Sequence, residues 1–401
     1  MSIRALSVEQ LESRMLLAGN VTASLSTTGD LWIEGSSDDD WLELKRIGIG
    51  QWEAIPANNT TLNGSLGPQI FRVRRDINVN LHEGNDSVGI KGQGVKKLAD
   101  INSITIKAGS GIDLVVVENL ALRSDLKMMG EADDDQLYLQ NVAVPRSLVV
   151  EGNTGQDNVV LTNAAVSGDV SVNTGEQDDR ITLNDGNYKQ NVTLVGGPGN
   201  DNAYIFGSKI NKNIQIDLGS TDEEEHDLLD IRRLSAGNDL QVFVGAGSDY
   251  LTIINAAIGR NVRVVGDKGP DVFSIGVSRV SGSMEIDMGY PGFLETDDVT
   301  VFSSNVGGSL RVTTGDGIDR IALASSVFKK GIEISMGVGN DTFEAHLLQA
   351  LDRFYLDMGS GGDNVSVRDS TFRWASLDGG EGTNQLSWSN SRAKSLKLLN
   401  F

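Results

Sequence analysis

Thirteen aspartates stand at near-constant intervals along the 401-residue chain: Asp86, Asp113, Asp135, Asp157, Asp179, Asp201, Asp227, Asp249, Asp271, Asp297, Asp319, Asp341 and Asp363. Nine of the twelve steps between them are 22 residues; one is 27 and two are 26, and Asn384 continues the column one residue early. The best copies share a glycine turn ending in the acid, as in Gly197-Pro-Gly-Asn-Asp201, Gly245-Ala-Gly-Ser-Asp249 and Gly337-Val-Gly-Asn-Asp341. An acid repeated at one position of a structural repeat is brought into register with its copies. Neighbouring carboxylates in such a column would approach to about 5–7 Å, which costs about 0.6–0.8 kcal/mol per pair in water and several times more in a less polar medium. Two kinds of chemistry offset that repulsion. Backbone N–H groups of an Asx-type turn can donate to the carboxylates, or hard cations can take them as oxygen ligands. The second reading nominates Asp113, Asp179, Asp201, Asp249, Asp319, Asp341 and Asp363 as metal ligands with calcium as the ion. The runs Asp319, Asp341, Asp363 and Asp179, Asp201 are its best sites.

Apolar residues keep fixed offsets from this column and define the elements that carry it. Two and four residues after the acid come pairs such as Val115/Val117, Leu137/Leu139, Ile181/Leu183 and Val365/Val367. Nine after it comes one apolar side chain, such as Leu122, Val144, Tyr188 or Phe328; thirteen and fifteen after it come pairs such as Leu148/Val150, Val192/Leu194 and Ile332/Ile334. Period-two alternation of mostly β-branched residues predicts strands. Each repeat reads as strand, corner, short strand, corner, strand, glycine turn. The expected fold is all-β: a single-stranded right-handed parallel β-helix (β-solenoid) of about 22 residues per coil with three short strands per coil. Stacking at about 4.8 Å joins the apolar stripes into one core, giving a rod on the order of 60–70 Å long. The handedness follows from coil length by analogy. A leucine-rich repeat would need a helical half, and no amphipathic helix pattern is present. Asn119, Asn141, Asn163, Asp185 and Asn255, six residues after the turn acid, and Asp125, Asp169, Asn191, Asn213, Asp239 and Asn261, twelve after it, suit left-handed corners and side-chain bonds up and down the column.

The chain divides into a targeting or leader segment at 1–19, an N-terminal cap with degenerate first coils at 20–85, regular coils at 86–388 and a C-terminal cap at 389–401. The 26-residue coils swell at the glycine turn, one with Asp222-Glu-Glu-Glu-His-Asp227 and the other with Tyr290-Pro-Gly-Phe-Leu-Glu-Thr-Asp297. Solenoid insertions of this kind map to one side of the rod, as a binding side or as tolerated loops.

Composition narrows the partners. With 34 Lys+Arg against 55 Asp+Glu the formal charge is −21, which disfavours nucleic acid and anionic lipid and favours cations. No apolar run is long enough for a membrane span. The absence of cysteine excludes disulfides and thiolate chemistry, and His82, His226 and His346 share no ligand spacing. Polysaccharide-processing chemistry of the β-helix type would call on exposed arginines such as Arg180, Arg263, Arg311 and Arg320. Those arginines also have cross-coil acids to pair with, outward positions read mostly as Thr, Ser, Asn and Gln, and no aromatic platform is expected. A non-enzymatic rod is therefore expected.

Two resemblances add to this. Leu11-Glu-Ser-Arg-Met-Leu-Leu-Ala18 resembles the Leu-Glu-Pro-Arg-x-Leu-Leu motif near the start of planctomycete surface and secreted proteins, with Ser13 in place of the proline. It implies a secreted or cell-surface address. The turn Gly-x-Gly-x-Asp followed by x-apolar-x, best in Gly197–Ile205, is similar to the haemolysin-type (RTX) calcium repeat. It implies calcium between neighbouring turns, although those proteins repeat every nine residues and this chain every 22. The combined expectation is an extracellular or cell-surface structural and interaction solenoid. Surface polysaccharide or other surface proteins are its expected partners, and a polysaccharide lyase or hydrolase or a glycan-binding adhesin module are the alternatives.

Overall fold

A computed structural model of the chain describes residues 19–95, 101–219, 225–289 and 296–401. They form a parallel β-solenoid of three sheets with no helix among them. The first sheet stacks strands such as Asn158–Thr162, Arg180–Asn184 and Asn202–Phe206. The second stacks two-residue strands such as Ala165–Val166 and Asn187–Tyr188. The third stacks strands such as Val170–Glu176 and Val192–Val195. Register is kept coil to coil at 22 residues, as in Ile181↔Ala203 and Val172↔Leu194. The repeat in the sequence is thus the hydrogen-bonding repeat of the fold.

The interior is built from the offsets that the sequence marks. Val115, Val117, Leu137 and Leu139 of the first sheet, Leu122, Val144 and Tyr188 of the second, and Leu148, Val150, Val192 and Leu194 of the third are all 0–1% exposed. A single coil has three short apolar stripes and nothing to cover them, so the core exists only through stacking. Toward the C-terminal end aromatic rings fill the same channel: Phe354 lies 5.6 Å from Phe343 and 4.9 Å from Phe372, and Trp388 lies 5.6 Å beyond Phe372.

The corner six residues after the turn acid is left-handed in coil after coil. Asn119, Asn141, Asn163, Asp185 and Asn255 have φ between 50° and 56°, as their residue types suggest. Their amides also bond along the column: Asn141 Nδ2 donates to Asn119 Oδ1 at 3.2 Å and Asn163 Nδ2 to Asn141 Oδ1 at 3.1 Å. Val277 occupies the same corner at φ 52°, a conformation that costs an L-residue about 1–2 kcal/mol. Its side chain is 55% exposed, so little packing is at stake. Val277→Asn is therefore expected to stabilise the protein by about 1 kcal/mol, read as a higher urea midpoint at unchanged slope.

The two ends differ. Near the N-terminus, Asn20–Leu25 pairs antiparallel with Leu31–Glu34, and Gln51–Pro56 pairs antiparallel with both Trp41–Gly48 and Gln69–Arg72. These strands lie at the first coils, and Trp52 of Gln51–Pro56 is fully buried. At the other end, within residues 389–401, Arg392–Leu399 stacks parallel on Thr371–Asp378 as one more rung. The inward stripe of that rung, in register with buried Ala375 and Leu377, leaves Leu396 and Leu398 41% and 44% exposed. The segment 1–19 read as a leader, apart from Gly19, and most of the two swellings lie outside the described residues.

Candidate functional site: an aspartate spine and an outer aromatic face

All thirteen column acids are brought together, and Asp40 precedes them as a fourteenth rung; each is 0–2% exposed. The Asp38-Asp-Asp-Trp-Leu-Glu-Leu44 unit carries the signal for the extra rung. The backbone N–H of each aspartate donates to Oδ1 of the aspartate in the next coil, from Asp40 to Asp86 (2.6 Å) through Asp179 to Asp201 (2.9 Å) to Asp341 to Asp363 (2.9 Å). The long coils do not interrupt it: the bonds from Asp86 to Asp113, Asp201 to Asp227 and Asp271 to Asp297 measure 2.7, 2.7 and 2.8 Å. From Asp86 onward the donor is thus supplied by the coil before it, whereas Asp40 takes one from within its own turn, Ser36 N–H to Oδ2 at 2.6 Å. The reason is geometric: coil stacking places the N–H of one rung directly against the carboxylate of the next.

The second oxygen is placed differently. At Asp86, Asp113, Asp135, Asp157, Asp201, Asp227, Asp249, Asp271, Asp341 and Asp363, Oδ2 is buried without a hydrogen-bond partner. In four of these coils it lies against the glycine five residues upstream. A Cβ on Gly130, Gly152, Gly196 or Gly266 would stand 2.0–2.1 Å from it. Asn384, the last rung, shows what that position accepts. Its Oδ1 takes the N–H of Asp363 at 2.9 Å, while its Nδ2 donates to the carbonyls of Gly379, five residues upstream, and Asn400 at 2.8 and 3.1 Å. A neutral group that accepts with one atom and donates with the other fits the rung, and a protonated carboxyl is that group.

Burial, against the partial relief of the donated N–H, pushes these acids far above the ordinary carboxylate range. Asp113, Asp157, Asp201, Asp249 and Asp341 rise to about 7, Asp86, Asp135 and Asp179 to about 8, and Asp227 and Asp271 to about 9. Asp319 and Asp363 are raised for the same reason. Among the described residues no three acidic or histidine side chains gather into a metal-holding group. The seven nominated metal residues share the spine, one per coil, with Oδ1 already engaged by a backbone N–H.

A second ladder runs at the corner twelve residues after the acid, with opposite polarity. Here the N–H of the later coil donates back, as Asn191 to Asp169 Oδ1 (3.1 Å), Asn261 to Asp239 Oδ1 (3.0 Å) and Ser283 to Asn261 Oδ1 (3.0 Å). A third ladder, of buried serines, went unmarked in the sequence reading: Ser278 N–H donates to Ser304 Oγ and Ser304 N–H to Ser326 Oγ, at 3.2 and 3.1 Å. Serine is common at turns, which hides a column that only the register exposes.

The exposed arginines pair with surface acids rather than with the spine. Arg320 bridges Asp298 and Glu344 at 3.2 and 2.7 Å, Arg311 meets Glu333 at 3.0 Å, and Arg263 lies 4.0 Å from Glu285. A groove on the third sheet is lined by Glu285, Arg311, Glu333, Arg353 and Tyr355. Arg180 instead lies over the ring of Tyr204, 4.7 Å from its centroid. That contact belongs to a feature the sequence reading denied. The outer face of the first sheet carries a band of rings: Tyr138, Tyr204 and Phe206, with Tyr250 50% exposed beside them. His82 contacts Glu34 at 3.0 Å and His346 lies 3.5 Å from Asp369.

Fold and spine together define a parallel β-solenoid with a stacked aspartate ladder. No family model matches the chain, and neither the curated proteins nor the solved structures compared with it give a match. The functional reading therefore rests on the sequence and geometry of this chain. No helix among the described residues is long and apolar enough to cross a membrane.

Proposed function

We propose that the chain is a structural and interaction rod of the cell surface or extracellular space, without catalytic activity. The observation that carries this is the continuity of the aspartate spine. A hydrogen-bond ladder that passes unbroken through every long coil is a device for holding a rod in register, and it leaves the outer faces free for contact. The resemblance of Leu11–Ala18 to a planctomycete surface-protein motif supports the address. The lyase or hydrolase alternative would draw on Glu285 and Glu333 in the third-sheet groove. Both carboxylates, however, sit beside arginine partners at 4.0 and 3.0 Å, an arrangement of surface ion pairs. Surface labelling of the intact source cells is expected to reach the protein, and incubation with neutral and uronate polysaccharides is expected to release no new chain ends. Confinement to the cytoplasm would overturn the address, and turnover lost in Glu285→Gln or Glu333→Gln would overturn the non-catalytic reading.

Calcium at the spine is the second reading, favoured by the partnerless Oδ2 atoms. A cation there would neutralise buried negative charge that a proton otherwise neutralises. The two are separated by the pH and calcium dependence of stability.

A further inference from the structure

Over seven successive coils the outer face of the first sheet carries few charged side chains. Between Gln136 and Gly276 each strand presents three outward positions, and across those seven coils only Arg180, Asp230 and Arg232 are charged. Arg232 is neutralised by Asp230 at 2.8 Å. On a chain of net charge −21 this is a near-neutral strip. Its remaining positions alternate rings and aliphatic groups with amides and hydroxyls, as in Asn158, Val160, Thr182 and Asn202.

The rings are spaced by the coil. Tyr138 and Tyr204 share one column three coils apart, through Val160 and Thr182, and Tyr250 stands in the adjacent column two coils beyond Tyr204. At the inter-strand step these intervals are about 14 and 10 Å along the rod. Tyr138 is held in place: Asn158 Nδ2 donates to its hydroxyl at 3.0 Å, and the hydroxyl donates to Gln136 Oε1 at 3.0 Å. Tyr204 stacks with Phe206 at 6.2 Å, and Arg180 sets its fork of N–H donors over the same ring.

We propose that this strip binds an uncharged polysaccharide laid along the rod axis. This deepens the reading of the chain as a non-catalytic interaction rod and rests on it. The apolar faces of pyranose rings match the tyrosines, and the ring hydroxyls match the interleaved amides, threonines and Arg180. One coil step is close to the length of one sugar residue, so the polymer meets equivalent groups as it advances. The charge pattern selects this occupant over a second copy of the chain, because docking two acidic rods side by side brings like charge together, whereas a neutral polymer brings none.

The test is affinity electrophoresis of the full chain in gels containing hydroxyethylcellulose or glucomannan, with a glycan array of neutral and uronate oligosaccharides alongside. Retardation by a neutral polymer is expected, with at least a tenfold weaker dissociation constant in Tyr204→Ala/Tyr250→Ala. Tyr250→Ala alone, at a half-exposed position off the core, is expected to weaken binding with an unchanged melting temperature. The proposal is overturned if no neutral glycan binds, if uronates are preferred, or if binding survives the double substitution. Self-association lost in the double variant would also overturn it, because the strip would then hold a second copy. None of these outcomes bears on surface labelling or on turnover, so failure here leaves the rod reading to its own test.

Discussion

Urea unfolding at pH 5, 7 and 9 is expected to show stability falling steadily as pH rises, the reverse of what ionised, salt-bridged carboxylates produce. Ten of the spine acids titrate near 7 to 9 in the folded rod, against an ordinary carboxylate value near 4 in the unfolded chain. Below about pH 4 both states hold their protons and the contribution is fully present. Between there and about pH 9 the unfolded chain has ionised while the spine still binds protons, so the folded state loses ground with each pH unit. Above the folded values the contribution is gone. Each proton that the spine holds and the unfolded chain has lost contributes about 1.4 kcal/mol per pH unit to the slope, so the steepness of the decline counts the protonated rungs. Most surface acids are already ionised at pH 5 and add little to the change. A flat or rising profile over this range would sink the protonated-spine account. Calcium provides the second arm. If cations seat against Oδ2, millimolar calcium restores the midpoint at pH 8 and EGTA lowers it. If protons hold the spine, both additions leave the midpoint unchanged.

A single rung separates the hydrogen bond from the charge. Asp201→Ala is expected to lower stability by about 2–4 kcal/mol at pH 5. Asp179 then loses the acceptor of its buried N–H, an orphaned group worth about 1–3 kcal/mol, and a small cavity opens beside Gly196. Asp201→Asn keeps an acceptor for that N–H and supplies a donor in place of Oδ2, as Asn384 does naturally. It is expected to stay within about 1 kcal/mol of the parent at pH 5, to exceed it at pH 8, and to reduce the pH slope by the share of one group. Calorimetry or urea titration of the three proteins reads all of this. An Asn variant as damaged as the Ala variant would show that the rung requires a carboxyl group rather than a neutral acceptor–donor pair.

Much of this molecule was legible before any coordinates. Asp113 to Asp363 at steps of mostly 22, with Val115/Val117, Leu122 and Leu148/Val150 in their repeating offsets, define the parallel solenoid. A solenoid repeats its local environment, and a repeated environment selects the same residue type each time. The left-handed corners at Asn119, Asn141 and Asn163 were legible for the same reason, since a backbone near φ 50° selects Asn, Asp or Gly. Where the column departs from that rule, as at Val277, Ser303 and Ser325, the pattern weakens and the sequence is silent.

Relations between coils required the tertiary structure. The sequence places an aspartate at every turn but cannot say whether its partner lies within the turn or in the neighbouring coil. Stacking resolved this by setting each N–H against the next carboxylate, which engages Oδ1 and encloses Oδ2. The alternation within Arg392–Leu399 does not say what the segment pairs with, and register with Thr371–Asp378 makes it a further rung. The aromatic band was missed because Tyr138, Tyr204 and Tyr250 are 66 and 46 residues apart in the chain and fall on one face only when coils are laid side by side. Periodicity along the chain thus determined the fold and the positions of the spine acids from Asp86 to Asp363. Contact across the coils determined which atom each acid presents and which face of the rod is left to bind.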